Sequence, residues 1–337
     1  MGGKKKDRQI RTCLIVNARS KDDTFNLEEA LPILTAQGWE VEVREKHEKG
    51  DAARLARTAV KDGFDPIVNC GGDGTLNEIV DALAGSDVAV GTIPGGTENV
   101  WSKQIGISQR SRVAAMQLMV SERVRVDLGK VEIDGKHTHH FLMMAGLGAD
   151  GTVMQHTSRG LKNRIGPLAV GVAAAEALPA LQTVPVQINM DGVRWDGAVS
   201  EIVVGNTRDY GGFTEITRNA YVDDGLLDLC IFTTDGVLST VRQLTSLVIH
   251  RQPSEASSEC YRAARITVQA DSPLPLQLDG SVLDLDKDGP ISYAFSAVPH
   301  GLNVLVPKTY DGAIFEHGIV PVLQGKKKKR KKKGKKG

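Results

Sequence analysis

Residues 66–83 read PIVNCGGDGTLNEIVDAL, and this stretch sets the pattern for the first half of the chain. Its apolar run from Ile67 to Cys70 predicts a short buried strand, and the glycines after it predict a tight turn. The next apolar positions have the i, i+3, i+4 and i+7 spacing of one helical face: Leu76, Ile79, Val80 and Leu83. Thr75 and Glu78 have the spacing of a capping box, which predicts that the helix starts there.

A strand, a glycine-rich turn and a helix N-terminus together predict a phosphate site. Glycines let the backbone approach an anion closely, and the free N–H groups and the helix dipole favour negative charge there. Asp73 lies inside this turn. Its carboxylate would repel an anion unless a cation intervenes, or unless Asp73 serves as a base or orients one. The alternative is a tight turn in which Asp73 is simply solvated.

Strands and helices alternate through the first 120 residues. The predicted strands are Ile10–Asn17, Gly38–Val43, Ile67–Cys70 and Val88–Ile93, and the predicted helices begin near Leu27, cover Asp51–Asp62, and run from residue 100 to about Val120. This alternation predicts a doubly wound parallel sheet that binds its ligand at the carboxyl ends of the strands. A second glycine-rich loop, PGGTEN at residues 94–99, also follows a predicted strand.

The pattern changes near Arg125, where short alternating runs begin. Asp134-Gly135 and Asp191-Gly192 separate such runs, as expected for hairpin turns. Residues 125–307 are therefore predicted to form an antiparallel β domain, interrupted by one helix over residues 163–178. The predicted division is a basic segment (1–9), an α/β domain (10–124), the β domain (125–307), a C-terminal segment that returns to the first domain or stands apart (308–325), and a disordered Lys-rich tail (326–337).

The formal net charge of +1 combines two opposite parts of the chain. Residues 326–336 carry ten of the 42 lysines and arginines, which leaves 32 basic against 41 acidic residues elsewhere. Such an acidic body binds nucleic acid poorly, so no specific nucleic-acid partner is expected. The tail is interpreted as a solvated segment, a polybasic contact with anionic lipid, or a non-specific nucleic-acid arm.

The cysteines and histidines suggest no metal or disulfide chemistry. The four cysteines are scattered and include no C-x-x-C pair: Cys13, Cys70, Cys230 and Cys260. This spacing favours free thiols in a reducing compartment over a disulfide framework or a zinc site. His137, His139 and His140 follow a hairpin turn and are interpreted as solvated strand histidines.

Four stretches, in order, resemble the diacylglycerol kinase catalytic family, which includes bacterial lipid kinases and the sphingosine and ceramide kinases. They are GGDGTLNE (71–78), PGGTEN (94–99), DDGLLD (223–228) and LDG (278–280), and the resemblance covers roughly residues 10–307. The stretches VVGN (203–206) and YGG (210–212) also match the bacterial members. NAD kinases and phosphofructokinases share GGDG, so DDGLLD and LDG are the stretches that favour a lipid kinase.

The resemblance implies an ATP- and Mg²⁺-dependent lipid kinase, with the nucleotide in a cleft between the α/β domain and a β-sandwich. The residues implied to bind the nucleotide are Asn17, Ser20, Gly71, Gly72, Asp73, Gly74, Thr75, Leu76, Asn77, Thr97 and Asn99. Asp73 would act on the phosphates through Mg²⁺ or water, and Asp279 matches the acid proposed as the base for the lipid hydroxyl. A structural Mg²⁺ ion is implied at Asp224 and the carbonyls of Tyr221 and Leu226, and Asp127 matches an acid of the metal–water network.

These residue types suit phosphoryl transfer. The reaction needs positioning and cancellation of charge on the triphosphate, which backbone N–H groups and Mg²⁺ supply. Mg²⁺ prefers oxygen ligands, and a carboxylate is a natural base for an alcohol acceptor. For both Asp224 and Asp279, an ordinary turn aspartate is the alternative.

The chain departs from the family pattern at four places. The first loop reads Asn-Ala-Arg-Ser-Lys (17–21) without the usual glycine, and Val100, Met143 and Ser281 stand where the family has an acid, an asparagine and a glutamate. Two alternatives therefore stay open. One is a kinase of a soluble substrate such as NAD, and the other is a catalytically weak or non-catalytic nucleotide- or lipid-binding protein.

The expected substrate is a membrane lipid with a primary hydroxyl, such as a diacylglycerol.

The basic N-terminus has no apolar core of a signal peptide, and the apolar run from Gly166 to Ala175 is too short to span a bilayer. We therefore expect a cytoplasmic protein, with peripheral contact at the inner face of the membrane and a homodimer as open alternatives.

Overall fold

The computed structural model describes residues 9–17, 25–148, 183–210, 214–233, 258–285 and 288–322. Its first half contains β1 (Arg11–Asn17), β2 (Glu40–Lys46), β3 (Ile67–Cys70) and β4 (Ala89–Thr92), which pair in parallel in the order β2-β1-β3-β4. The helices of this half are α1 (Leu27–Ala36), α2 (Asp51–Lys61), α3 (Asp73–Leu83), α4 (Val100–Gln104) and α5 (Ser111–Met119). The predicted parallel, doubly wound domain is confirmed.

The direction in which successive strands are added to the parallel sheet reverses between β1 and β3. The chain passes from β1 to β2 on one side and then crosses back to β3 on the other. Because such crossovers are right-handed, α1 covers one face of the sheet, and α2 and α3 cover the opposite face. The carboxyl ends of β1 and β3 therefore border the crevice at which ligands bind in sheets of this type. Asn17 ends β1 and Gly71 follows β3 at this crevice.

The second half forms two antiparallel layers around a common core. Its strands are β5 (Ser121–Ile133), β6 (His137–Phe141), β7 (Met144–Gly148), β8 (Val184–Met190), β9 (Val193–Val199), β10 (Glu201–Gly205), β11 (Asp209–Tyr210), β12 (Thr214–Glu215), β13 (Leu227–Phe232), β14 (Ser258–Ala263), β15 (Arg265–Ala270), β16 (Leu276–Leu278), β17 (Ser281–Leu283) and β18 (Ile291–Pro307). One layer has the order β14-β13-β10-β7-β16-β17, and the other contains β9, β8, β15, β18, β5 and β6. Phe141 and Phe295 meet edge to face within the core, with ring centroids 6.4 Å apart. The predicted β-sandwich is confirmed.

β5 and β18 run through both halves of the molecule. β18 pairs with β15 in the sandwich and then, at Asn303 and Val304, in parallel with β4. β5 lies antiparallel to β18, and their register shifts between Val298 and Leu302. The predicted boundary at residue 125 thus falls inside a strand of a sheet that continues across it.

The C-terminal segment lies against the first half. Ile314 and Phe315 pack into its core, and Pro321 pairs with Val124. The Lys-rich tail and the helix predicted over residues 163–178 lie outside the described residues. Within the part of the chain that the structure describes, no helix is long and apolar enough to cross a membrane.

Two predictions about helices are wrong. The single helix predicted up to Val120 is divided into α4 and α5, because Gly106 adopts a φ of +70° and the following Ile107 turns into the core. Helix α3 begins at Asp73, two residues before the predicted start.

Glu78 does not cap α3 as the sequence predicted. Its carboxylate instead pairs with Lys46 and accepts a hydrogen bond from the N–H of Ala52 at 3.0 Å. The side chain therefore joins α3 to the neighbouring strand and helix, a contact that depends on tertiary packing.

The prediction that all cysteines are free is also wrong. Cys230 on β13 and Cys260 on β14 form a disulfide, because the register of the two strands sets them directly opposite, with Cα atoms 4.2 Å apart. Cys13 and Cys70 are free and buried, as predicted. The expectation of a reducing compartment rested on four free thiols and loses that support.

Candidate functional site

The two glycine-rich loops lie against each other at the carboxyl ends of β3 and β4. The N–H of Gly95 donates to the carbonyl of Gly71 at 3.1 Å. A Cβ atom on Gly96 would lie 2.5 Å from the Cα of Gly72, and one on Gly95 would lie 3.1 Å from the Cα of Gly71. Packing between the loops therefore requires glycine at positions 95 and 96, two positions to which the sequence assigned no role in nucleotide binding.

The N-terminus of α3 offers donors to an anion. The N–H groups of Gly72, Asp73 and Gly74 make no hydrogen bond within the described residues, and no side chain caps the helix. Free donors and the helix dipole at this crevice suit a phosphate group. Thr75 and Leu76 are among the residues predicted to bind the nucleotide. Their side chains are buried beneath the turn, so they support its backbone from the core side.

Asp73 connects the first loop to the second. Its carboxylate accepts hydrogen bonds from the N–H groups of Val100 (3.0 Å) and Trp101 (3.4 Å), and so caps α4. Burial raises the pKa of Asp73, and these two donors oppose the rise. A carboxylate has about four lone-pair sites, so Asp73 keeps acceptor capacity for water or a hard cation.

Asn99 holds the second loop in shape. Its amide accepts from the N–H of Gly96 (2.9 Å) and donates to the carbonyl of Gly96 (2.7 Å) and to Gln109 (2.9 Å). Thr97 is exposed in the same loop. Of the other predicted nucleotide contacts, Asn17 ends β1, and Ser20 lies outside the described residues.

Asp279 lies in the turn between β16 and β17, and its side chain is buried. Its carboxylate accepts from three consecutive backbone N–H groups, those of Leu142 (2.8 Å), Met143 (2.9 Å) and Met144 (2.9 Å). The fourth donor is the amide of Asn77 at 3.0 Å, which fills the lone-pair sites of the carboxylate. Burial raises the pKa of Asp279, while the four donors oppose that rise.

Asn77 brings the two halves of the site together. It lies one helical turn after Asp73, a rise of about 6 Å along α3, and it also donates to the carbonyl of His140 at 3.3 Å. Ser281, next to the Asp279 turn, faces the first loop, because its Oγ lies 3.3 Å from a Cβ placed on Gly74. The glycine-rich turn at the start of α3 and the buried carboxylate therefore occupy one site between the two domains.

Asn206 supports the backbone donors around Asp279. Its amide donates to the carbonyls of Leu142 (2.8 Å) and Asp127 (3.0 Å). Sequence analysis assigned Asn206 no role beyond its place in the matching stretch VVGN. Asn206 is fully buried, and it holds the backbone at Leu142, whose N–H donates to Asp279.

The residues implied to hold a structural Mg²⁺ ion lie close together. Asp127 is fully buried, and its carboxylate accepts from the N–H groups of His300 (2.6 Å) and Gly225 (2.7 Å). His300 lies in the irregular part of β18, and Gly225 lies in the loop between Tyr221 and Leu226. Burial raises the pKa of Asp127 despite these donors.

Asp224 contacts a guanidinium group where the family resemblance implies a metal ion. One carboxylate oxygen accepts from the N–H of Leu226 (2.9 Å), and the other pairs with Arg262. The Nε of Arg262 lies 3.4 Å from the carboxylate of Asp228. Over the described ranges, no group of three or more His, Cys, Asp or Glu side chains is arranged to hold a metal ion. Because the guanidinium of Arg262 pairs with the Asp224 carboxylate, the residues present do not fit the implied structural Mg²⁺.

His139 and His140 lie on β6 and are partly exposed, and beyond the prediction both contact Asp81 on α3. The Nδ1 and the backbone N–H of His140 each lie 2.9 Å from one oxygen of Asp81, and the Nδ1 of His139 lies 3.7 Å from the other. Although burial raises the pKa of Asp81, the hydrogen bonds from both histidines hold it well below its usual range. His137 is exposed, as predicted.

Most of the chain is similar to known proteins. The family described as "Diacylglycerol kinase catalytic domain" matches residues 11–131, and the "YegS C-terminal NAD kinase beta sandwich-like domain" matches residues 143–306. Lipid kinase YegS of Escherichia coli (strain K12) is 32% identical over 275 residues, which cover 80% of this chain and 89% of the relative.

Solved structures show the same fold. A diacylglycerol kinase from Bacillus anthracis str. Sterne has a TM-score of 0.67 at 23% identity, with 90% of this chain and 98% of that chain covered. A second solved chain from the same organism has a TM-score of 0.73 at 23% identity, and the match covers 93% of this chain and 99% of that one.

Proposed function

Because this chain belongs to the diacylglycerol kinase catalytic-domain family and is a kinase of the lipid-kinase type, we propose that it transfers the γ-phosphate of ATP to the primary hydroxyl of a diacylglycerol-like lipid. The observation that carries this proposal is the hydrogen bond between Asn77 and Asp279. It joins the N-terminus of α3, the candidate phosphate site, to a buried carboxylate of the sandwich, the candidate base.

The first half of the site would bind the nucleotide. The free N–H groups at the start of α3 would hold the phosphates, and the second loop would border the nucleotide. ATP would enter as its Mg²⁺ complex, in which the metal is part of the substrate and reduces the charge on the triphosphate. The remaining lone pairs of Asp73 would accept hydrogen bonds from water around that complex.

Asp279 would accept the proton of the lipid hydroxyl. As the hydroxyl oxygen bonds to the γ-phosphorus, its proton passes to the carboxylate and ADP leaves with the electrons of the broken P–O bond. Three of the four donors to Asp279 are backbone N–H groups, and only Asn77 is a side chain. The incoming hydroxyl can therefore take the place of the Asn77 amide without rearranging the backbone.

The test is transfer of label from γ-labelled ATP to a panel of acceptors. We expect label in an organic-extractable product with diacylglycerol, and we would compare ceramide, a sphingoid base, a glycolipid and NAD. Transfer to NAD alone would support the soluble-substrate alternative. Nucleotide binding by calorimetry without transfer to any acceptor would support the non-catalytic alternative, and either result would overturn the proposal.

We also propose that the Lys-rich tail contacts an anionic membrane, where the substrate resides. Basic residues near such a surface contribute about 1 kcal/mol each, and residues 326–336 carry ten of them. Vesicles with anionic lipid should retain the full chain at low salt and release it at high salt. A chain ending at residue 325 and neutral vesicles are the controls, and equal binding with and without the tail would contradict this proposal.

A further inference from the structure

The position that the family resemblance assigns to a structural Mg²⁺ ion already holds a positive charge. Arg262 on β14 lies directly opposite Asp228 on β13, and its guanidinium pairs with both Asp224 and Asp228. The side chains of Asp224 and Asp228 are only 3% and 8% exposed. We propose that Arg262 replaces the structural metal ion in this chain, so that the loop over residues 221–226 is held in place without a divalent cation.

The chemistry of the three side chains supports this replacement. Two buried carboxylates need a positive partner, because an unpaired buried charge is strongly unfavourable. The planar fork of arginine offers several N–H groups in a fixed geometry, and here it reaches one carboxylate with a terminal nitrogen and the other with Nε. Mg²⁺ requires oxygen ligands close around it in near-octahedral geometry. It cannot take up such a position at Asp224 while the guanidinium is bound there.

The register that places Arg262 is fixed by neighbouring residues. Asp228 faces Arg262, and two positions further along β13, Cys230 faces Cys260 in the disulfide. On the same face, the disulfide pair is therefore the neighbour of the Asp228–Arg262 pair. It holds β14 in register with β13 at that point. A slip of the register would separate Arg262 from both carboxylates.

The loop held by Arg262 connects three parts of the molecule. Its Val222 carbonyl accepts from the N–H of Asp127 at 2.6 Å, and its Val222 N–H donates to the carbonyl of Ile314 in the C-terminal segment at 3.0 Å. Asp223 accepts from the N–H of Glu316 at 2.7 Å. The loop therefore ties β13 and the sandwich to β5 and to the segment that packs on the first half.

A continuous set of contacts leads from this loop to the candidate base. Gly225 donates to Asp127, and the carbonyl of Asp127 shares the Asn206 amide with the carbonyl of Leu142. The N–H of Leu142 in turn donates to Asp279. Arg262 is thus a positioning residue, since it acts on the site only through the loop and these intervening groups.

The first test uses the wild-type chain without nucleotide or lipid, so its result does not depend on the proposed reaction. Thermal unfolding is followed in EDTA and in 5 mM MgCl₂, with NaCl added to match the ionic strength. We expect the two Tm values to agree within about 1 °C, whereas an occupied site of micromolar affinity would raise Tm by several degrees. A Tm that rises with Mg²⁺ in the wild type would overturn the inference.

The second test removes the arginine. Arg262→Met should lower Tm by about 5 °C or more, because it leaves two buried carboxylates without a counter-ion. MgCl₂ or CaCl₂ should then restore part of the loss. An unchanged Tm, or a loss that neither cation reverses, would overturn the inference.

A matched control separates this effect from the loss of any partly buried ion pair. Arg123→Met removes the arginine that pairs with Asp65 at 2.6 Å in the first half of the chain. Its Tm should fall without any response to divalent cations. Should Arg262→Met fail to fold, Arg262→Lys serves in its place, since a lysine keeps one charge but cannot reach both carboxylates with the arginine fork. A wild-type Tm for Arg262→Lys would contradict the proposal.

Discussion

At the scale of single residues, Asp279 combines burial with four donors and a chemical role in the proposed reaction. Asp279→Asn keeps the size of the side chain but removes the base and turns an amide N–H toward backbone N–H groups. We expect the rate of phosphoryl transfer to fall by at least about 100-fold. The affinity for ATP, measured by calorimetry, should change by no more than about threefold, because the proposed phosphate contacts lie at the start of α3 and not on Asp279.

Asp284→Asn is the control for this variant, since Asp284 is exposed in the same part of the sandwich. It should leave both rate and affinity unchanged. A rate for Asp279→Asn close to that of the wild type would refute the assignment of Asp279 as the base.

Asn77 provides a second prediction at this scale, one that concerns pH. Its amide stabilises the ionised form of Asp279 and so opposes the rise in pKa that burial causes. Asn77→Ala removes this donor, and the pKa of Asp279 should rise further. Since the base must be ionised, activity falls as the pH drops through this pKa. The acid limb of kcat/KM against pH, which reports the free enzyme in which Asn77 contacts Asp279, should therefore move to higher pH.

The rate of Asn77→Ala at neutral pH should also fall by roughly tenfold. A merely structural role for Asn77 would lower the rate without moving the acid limb. Asn219→Ala, at an exposed position that is not among the groups contacting Asp279, should change neither the rate nor the limb. An acid limb that stays in place for Asn77→Ala would contradict the proposed action on Asp279.

At the scale of elements, the contact between the two glycine-rich loops determines the shape of the candidate phosphate site. Gly96→Ala would place a Cβ atom 2.5 Å from the Cα of Gly72, so one backbone must move. The donors at the start of α3 would then be displaced from their positions around the phosphates. We expect the Kd for ATP to increase by about tenfold or more, measured by calorimetry with the Mg²⁺ complex.

Glu98→Ala is the matched control in the same loop, because Glu98 is exposed and its side chain supports no backbone contact between the loops. It should not weaken ATP binding. If Gly96→Ala binds ATP as tightly as the wild type, the loop contact does not shape the nucleotide site.

The elements also show what the sequence can reveal and what it cannot. Hydrophobic periodicity and Asp-Gly turns are local signals, and they correctly predicted β3, the buried face of α3 and the hairpins at Asp134 and Asp191. The cap that Asp73 gives to α4, the Asp81 contacts of His140 and the Cys230–Cys260 disulfide each join distant parts of the chain. Such contacts depend on strand register and packing, which periodicity does not contain.

The same distinction between local signals and contacts of distant residues explains which parts of the candidate site could be predicted. Its glycines and aspartates could be located from motifs, because the resemblance fixed their order along the chain. The roles of Arg262 and Asn206 could not, since neither lies within a stretch whose local pattern demands it. Arg262 becomes meaningful only once β14 is paired with β13 in its observed register.

At the scale of the whole molecule, the two domains share a sheet and cannot be treated as independent units. β18 contributes to the sandwich and also pairs with β4 of the parallel sheet, and residues 314 and 315 return to the core of the first half. Loss of either half would expose apolar surface and unpaired strand edges in the other. The chain should therefore unfold in one cooperative transition.

The three tryptophans make this prediction testable in each half separately. Trp39 and Trp101 pack in the first half, and Trp195 lies on β9 of the sandwich. In Trp195→Phe the fluorescence reports on the first half, and in the double variant Trp39→Phe/Trp101→Phe it reports on the sandwich. Within each variant, the urea midpoint from fluorescence should coincide with the midpoint from circular dichroism, and saturating ATP should raise the midpoints of both reporters. Ligand binding to one independent unit stabilises that unit alone. If ATP does not raise the midpoint of the sandwich reporter, or if that reporter unfolds at a separate urea concentration, the shared sheet does not couple the domains.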